Sequence, residues 1–151
     1  GNCMFSAGNF SGSDDNPEKI GPSKTLQILM LFAHKFLYPE FYSDYDITEE
    51  HYEKLLDLLE EKINRELDKV EQEREEYVDD DMKSQVEEQI NCLIDSGELF
   101  LEAIEEMRLY LERDDDEKGK ENLLRGIEIA RRADKKLIRS IEIFEELRET
   151  H

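Results

Sequence analysis

An all-α antiparallel bundle is the fold class this sequence predicts, and three observations predict it. Apolar residues recur at steps of three and four along three stretches of about 30 residues each, the signature of a helix with one packed face. The breaks between those stretches fall at two acidic runs, Asp79 to Asp81 and Asp114 to Asp116. The apolar fraction is only 38%, against 40% charged residues, yet it falls in these periods, so the composition suits a helix-rich bundle rather than a disordered chain. The expected architecture is three long helices, about 48–78, 82–113 and 117–149, plus a shorter apolar helix at about 24–38.

Residues 1 to 23 hold four of the seven glycines and two of the three prolines, interleaved with Ser6, Ser11, Ser13, Asp14, Asp15 and Asn16. They read as a tail or loop, with 24–151 as a single helical-bundle domain. Gly1 is a plain start or a tag remnant. Gly1-Asn2-Cys3 also resembles a myristoylation site beside a palmitoylatable cysteine, although the serine such sites favour comes one place late, at Ser6. A removed export signal is the remaining alternative.

Ser23 is placed to cap the helix that Pro39 stops. Leu26, Ile28, Leu29, Met30, Leu31, Phe32, Ala33, Phe36 and Leu37 cover almost its whole circumference, so it needs cover on more than one side. Either the later helices supply that cover or a second copy does, which makes a homodimer through helix 24–38 an expectation. Lys35, His34 and Gln27 interrupt this densest apolar run, and no run reaches the eighteen or so residues that a membrane span requires.

An aromatic link follows. Tyr38, Phe41, Tyr42, Tyr45 and Tyr52 read either as a plug at one end of the bundle or as a partner-binding patch, since tyrosines offer large contact area at little entropic cost. Thr48, Glu49 and Glu50 open the next helix, with the acids at the positive end of its dipole. Its row of Tyr52, Leu56, Leu59, Ile63, Leu67, Val70 and Tyr77 loses phase near Asp79 to Asp81, and a turn with a capping aspartate is expected there, the alternative being one continuous helix, since no Gly or Pro separates the two rows. The clearest seam comes next: Val86, Ile90, Leu93, Gly97, Phe100, Ile104, Met107 and Leu111 alternate steps of four and three. Ile94, Leu101 and Tyr110 widen it, so this helix should touch two neighbours and occupy the middle of the bundle, with the coiled-coil character of a lengthwise packing.

The last helix carries Leu123, Leu124, Ile127, Ala130, Leu137, Ile138, Ile141, Phe144 and Leu147. Residues 117–149 hold nine bases and eight acids (+1), whereas 48–116 hold eight bases and 26 acids (−18). Arg131, Arg132, Lys135, Lys136 and Arg139 form a basic cluster that either pairs with acids of neighbouring helices or docks an acidic ligand. Asp134, on the apolar row, is expected to reach a neighbouring Arg or Lys. Gly97 and Gly126 each cost about 1 kcal/mol against alanine inside a helix. That cost points to close backbone approach, expected where helix 24–38 crosses.

The net charge of −20 argues against nucleic-acid or anionic-membrane binding and fits a basic partner, or simply solubility. Cys3 and Cys92 are too few for a disulfide framework and read as free thiols in a reducing, cytoplasmic setting. His34, His51 and His151 have no Glu three places before them, so the paired Glu-x-x-His of a di-iron bundle is missing. Zinc-protease, phosphate-loop and EF-hand patterns are missing too. No catalytic, cofactor-binding or metal-ligating residue is assigned. The expected function is a non-enzymatic protein-interaction or scaffold module. The alternatives are an acidic inhibitor or immunity-type protein directed at a basic partner, and a helical ligand-binding protein or enzyme.

Overall fold

Capping and proline set the helix ends. Ser23, in extended backbone (φ −65°, ψ 159°), accepts a hydrogen bond from the Leu26 N–H at 3.1 Å and starts α1 (Lys24–Leu37). Pro39, which has no N–H to continue a helix, opens a short 3₁₀ turn, Pro39–Phe41. At the head of α2 (Glu49–Glu76) the Thr48 hydroxyl accepts from the His51 N–H (3.1 Å) while the Thr48 N–H donates to His51 Nδ1 (3.4 Å). This is the reciprocal logic of a capping box, with histidine in the usual glutamate role. Asp115 Oδ1 accepts from the Glu117 and Lys118 N–H groups and starts α4 (Asp116–Thr150), which follows α3 (Lys83–Glu112). The computed structural model describes residues 21–76, 83–113 and 115–150, and within these the fold is an all-α bundle without strands. Most of the N-terminal tail, with Cys3 and the lipidation and export-signal readings, lies outside the described residues, as do Tyr77, Asp79 to Asp81, Asp114 and His151.

Ion pairs between helices give their directions. Glu106 with Arg125, Asp95 with Lys136 and Glu88 with Arg139 run α3 and α4 antiparallel, because one partner's number falls as the other's rises. Arg108 bridges Asp57 (2.9 Å) and Glu60 (3.1 Å), and Arg74 donates to Asn91, which sets α2 antiparallel to α3. The chain therefore reverses between Glu76 and Lys83, as the slip of phase predicts, and α3 has α2 on one side and α4 on the other.

Helix α1 is folded onto its own chain. Thr25, Leu26, Leu29, Ala33 and Leu37 are buried, and Phe32 and Phe36 pack on Tyr52 of α2, with Phe36 also against Tyr110 of α3. Only a narrow outer stripe remains, where the half-buried Ile28 and Leu31 lie between the exposed Lys24 and Gln27. Burial, assisted by Glu49 and Asp116, pushes the Tyr110 phenol up to about 12, so it stays protonated and hydrogen-bonds Glu49.

The α3–α4 contact is built from small residues. Gly119, Gly126, Ala133 and Ser140 recur every seven places along α4, all buried, and Ser96 and Ala103 do the same on α3. Seven-residue spacing holds one stripe against the partner helix, and small side chains let the backbones close in. A Cβ at Gly126 would sit 3.2 Å from the Ala103 carbonyl oxygen. The two helix glycines thus serve other contacts than the expected crossing of helix 24–38: Gly126 faces α3, and Gly97 faces Leu67 of α2. Leu124 and Phe144 stand at the surface, while Ile129 and Ile143 are buried in their place.

Asp134 corrects a second expectation. It is buried, and its Oδ1 accepts the backbone N–H of Ser23 at 3.2 Å, so it fastens the start of α1 to the middle of α4 rather than reaching a base. Burial raises its pKa above the ordinary 3.8, and the hydrogen bonds from Ser23 offset part of that rise. A raised folded-state value means that the ionised carboxylate costs stability at neutral pH. The cost is relieved as pH falls through the raised value toward 3.8, below which both states are protonated. Asp134→Asn keeps an acceptor for Ser23 and removes the buried charge. It is expected to be more stable than the parent at pH 7 in urea unfolding, with the difference closing as pH is lowered toward about 4.

Candidate functional site

Two surfaces gather the residues that the sequence singles out, and the first is the aromatic corner after α1. Three successive backbone bonds tighten it: Phe41 N–H to Tyr38 O, Tyr42 N–H to Pro39 O and Tyr45 N–H to Tyr42 O, at 3.1 to 3.2 Å. Lys35 Nζ reaches back to the Tyr42 carbonyl at 3.0 Å and ties the corner to the last turn of α1. The rings form a chain, with His34 5.7 Å from Tyr38 and 6.1 Å from Tyr42, and Tyr42 5.9 Å from Tyr45. The Tyr42 hydroxyl lies 3.5 Å from His34 Nδ1.

What this scaffold holds up is apolar and exposed. Phe41 at the apex is 78% exposed, with Tyr38 at 44% and Tyr45 at 47% beside it. A ring left so far in water on a tightly bonded turn gains nothing for the fold. Around it, residues 39–50 carry five acids, Glu40, Asp44, Asp46, Glu49 and Glu50, and no Lys or Arg. Tyr52 does not belong to this surface. Its ring is 0% exposed, stacked on Phe36 at 5.3 Å and 7°, because it heads the apolar row of α2.

The second surface is a groove of about 840 Å³ between α3 and α4. Four of the five clustered bases, Arg132, Lys135, Lys136 and Arg139, form one wall, and Glu87, Glu88 and Asp95 of α3 form the other. Lys136 meets Asp95 at 3.7 Å and Arg139 meets Glu88 at 3.1 Å, so part of the cluster pairs across the helix boundary. Arg131, the fifth base, is exposed outside the groove lining. Cys92 lies in the groove with a free, buried thiol. Burial pushes that thiol's pKa up and nearby Lys136 and Arg139 only partly counter it, the opposite of the depressed pKa that makes a cysteine nucleophilic.

Among the described residues no group of three or more His, Cys, Asp or Glu converges as metal ligands, and no helix is long and apolar enough to cross a membrane. Tyr42 is the neighbour of His34, and His51 serves the cap of α2. The chain matches no protein-family model, no curated protein and no solved structure.

Proposed function

We propose that this chain is a protein-binding module that docks a basic partner surface on the aromatic corner of Tyr38, Phe41, Tyr42 and Tyr45. The observation that carries the reading is Phe41, 78% exposed on a turn tied down by Lys35, in a segment whose neighbouring charges, Glu40, Asp44 and Asp46, are all acidic. An aromatic anchor inside a polar, charged rim is the anatomy of a protein interface, and the sign of the rim selects a cationic partner. Burying a phenylalanine of which 78% is exposed is worth about 3 kcal/mol at 25 cal/mol per Å².

The test places a photo-crosslinking amino acid at Phe41, and in parallel at Leu58, which is 64% exposed on α2 away from the corner. A basic protein captured from the source cells at Phe41 and not at Leu58 is the expected result. With that pair purified, Phe41→Ala should weaken binding by about 30- to 100-fold while the melting temperature holds. Equal capture at both positions, or unchanged affinity for Phe41→Ala, overturns the proposal.

The net charge of −20 supports a second reading, an acidic inhibitor whose charge alone blocks a basic site. Salt separates the two. Binding through charge alone falls steeply between low and physiological ionic strength, whereas binding anchored by Phe41 keeps most of its affinity.

A further inference from the structure

We infer that the residue which the aromatic corner recognises on its partner is an arginine, whose guanidinium lies flat on the Phe41 ring and turns its N–H edge to the carboxylates of the same segment. The inference rests on the reading of this corner as a protein-binding surface, and it names the chemistry that the surface takes.

The free carboxylates are the first support. Of the five acids in residues 39–50, two are engaged by the chain itself: Glu49 holds the Tyr110 phenol, and Glu50 pairs with Lys54 at 3.5 Å. The side chains of Glu40, Asp44 and Asp46 make no hydrogen bond or ion pair among the described residues. The bases nearest to them in sequence are Lys35 and Lys54, and both are committed. Lys35 directs its ammonium to the Tyr42 carbonyl at 3.0 Å, so it fixes the turn without neutralising these acids.

The free ring is the second. Tyr38 leans on His34, and Tyr42 meets both His34 and Tyr45. Phe41, 78% exposed, makes no ring contact among the described residues, so its π face is not taken by the aromatics next to it in sequence.

Ring and acids together separate three ligand chemistries. An apolar side chain would cover the ring, but it would draw unpaired carboxylates out of water with nothing to offset that cost. A lysine ammonium would neutralise the acids, but it is a compact, strongly hydrated point charge with no plane to lay on a ring. A guanidinium is planar and weakly hydrated, stacks on an aromatic face and keeps its N–H donors at the edge for carboxylates. It satisfies both features at once. The rest of the chain's negative charge attracts any cation, but a Debye length of about 8 Å at 0.15 M salt leaves the choice between cations to the groups in contact.

The test uses short peptides in which Gly-Ser-X is repeated three times, with X as arginine, lysine or citrulline, the uncharged isostere of arginine. Each is titrated with the full chain at about 0.15 M salt and followed by fluorescence anisotropy. The arginine peptide should bind about 5- to 10-fold more tightly than the lysine peptide, and the citrulline peptide should not bind measurably. Phe41→Leu keeps apolar area and net charge but removes the π face, so it should weaken the arginine peptide by about the same 5- to 10-fold and leave the lysine peptide nearly unchanged. Asp44→Asn with Asp46→Asn should weaken both charged peptides. Circular dichroism melts establish that the variants are folded. An arginine peptide that does not bind, or binds no better than lysine, overturns the inference. So does arginine binding that survives Phe41→Leu or the double asparagine variant. The partner captured at Phe41 keeps this failure apart from failure of the docking reading. If Phe41→Ala weakens that partner and Phe41→Leu does not, the corner docks through an apolar anchor and the arginine is wrong; if neither variant weakens it, the docking reading itself falls.

Discussion

Tyr52→Ala is expected to lower the free energy of unfolding by about 4 kcal/mol, and Tyr52→Phe to raise it by about 1 kcal/mol. The first figure follows from packing. The Tyr52 ring is fully buried, stacked on Phe36 and tilted against Phe32 at 5.7 Å, so truncation removes the surface on which the end of α1 rests. Deletion of a buried aromatic side chain costs about 3–5 kcal/mol through lost transfer energy and the cavity left behind. The second figure follows from the hydroxyl. It is buried without a hydrogen-bond partner among the described residues, and desolvation, with a smaller contribution from Tyr110, drives its pKa far above the usual phenol range. An unmet buried hydroxyl costs about 1–3 kcal/mol, and phenylalanine removes it while keeping the ring. Urea unfolding of the three proteins checks both signs. A Tyr52→Phe protein less stable than its parent would mean that the hydroxyl has found an acceptor. Loosening of the corner should accompany Tyr52→Ala alone.

The helices were legible because their signals are local. Ser23, Thr48 and Pro39 act within one turn, and the three-four seam from Val86 to Met107 is buried throughout, so the described ends fall within about two residues of the expected ones. The break of phase near Asp79 was enough to separate α2 from α3. Signals that act across the fold were harder to read. Asp134 sits on an apolar row, but its partner is a backbone N–H 111 positions away, which no spacing rule reaches. Tyr52 clusters with exposed aromatics in sequence, yet it also begins the row Leu56, Leu59 and Ile63, and that periodicity was the better guide to which way its ring turns. The bunching of Arg131, Arg132, Lys135, Lys136 and Arg139 marked a basic cluster, and four of the five share one wall of the groove. Which acids stand opposite depends on the register of α3 against α4, and that register is set by residues too small to register as apolar periodicity.

Those small residues underlie the remaining large effect. Gly126→Leu is expected to lower stability by about 2–3 kcal/mol, or roughly 5–10 °C in melting temperature for a chain of this size. Leucine gains about 1 kcal/mol over glycine in helix propensity, so the packing loss must exceed that gain to be seen. It should, because the first added carbon would lie 2.8 Å from Met107 Cγ and 3.2 Å from the Ala103 carbonyl oxygen. Met107 is fully buried, and a backbone carbonyl inside a helix cannot step aside, so the remaining carbons can be accommodated only by separating α3 from α4. Gly97→Leu is the internal comparison. There the added carbon meets the Leu67 side chain, its nearest atom a terminal methyl at 2.6 Å, and Leu67 is half-buried rather than fully enclosed. It too should lose more in packing than it gains in propensity, but its loss should be the smaller of the two. A melting temperature unchanged or raised in Gly126→Leu would show that the two helices can part without cost. In that case the seven-residue stripe of Gly119, Gly126, Ala133 and Ser140 would not be what holds the hairpin together.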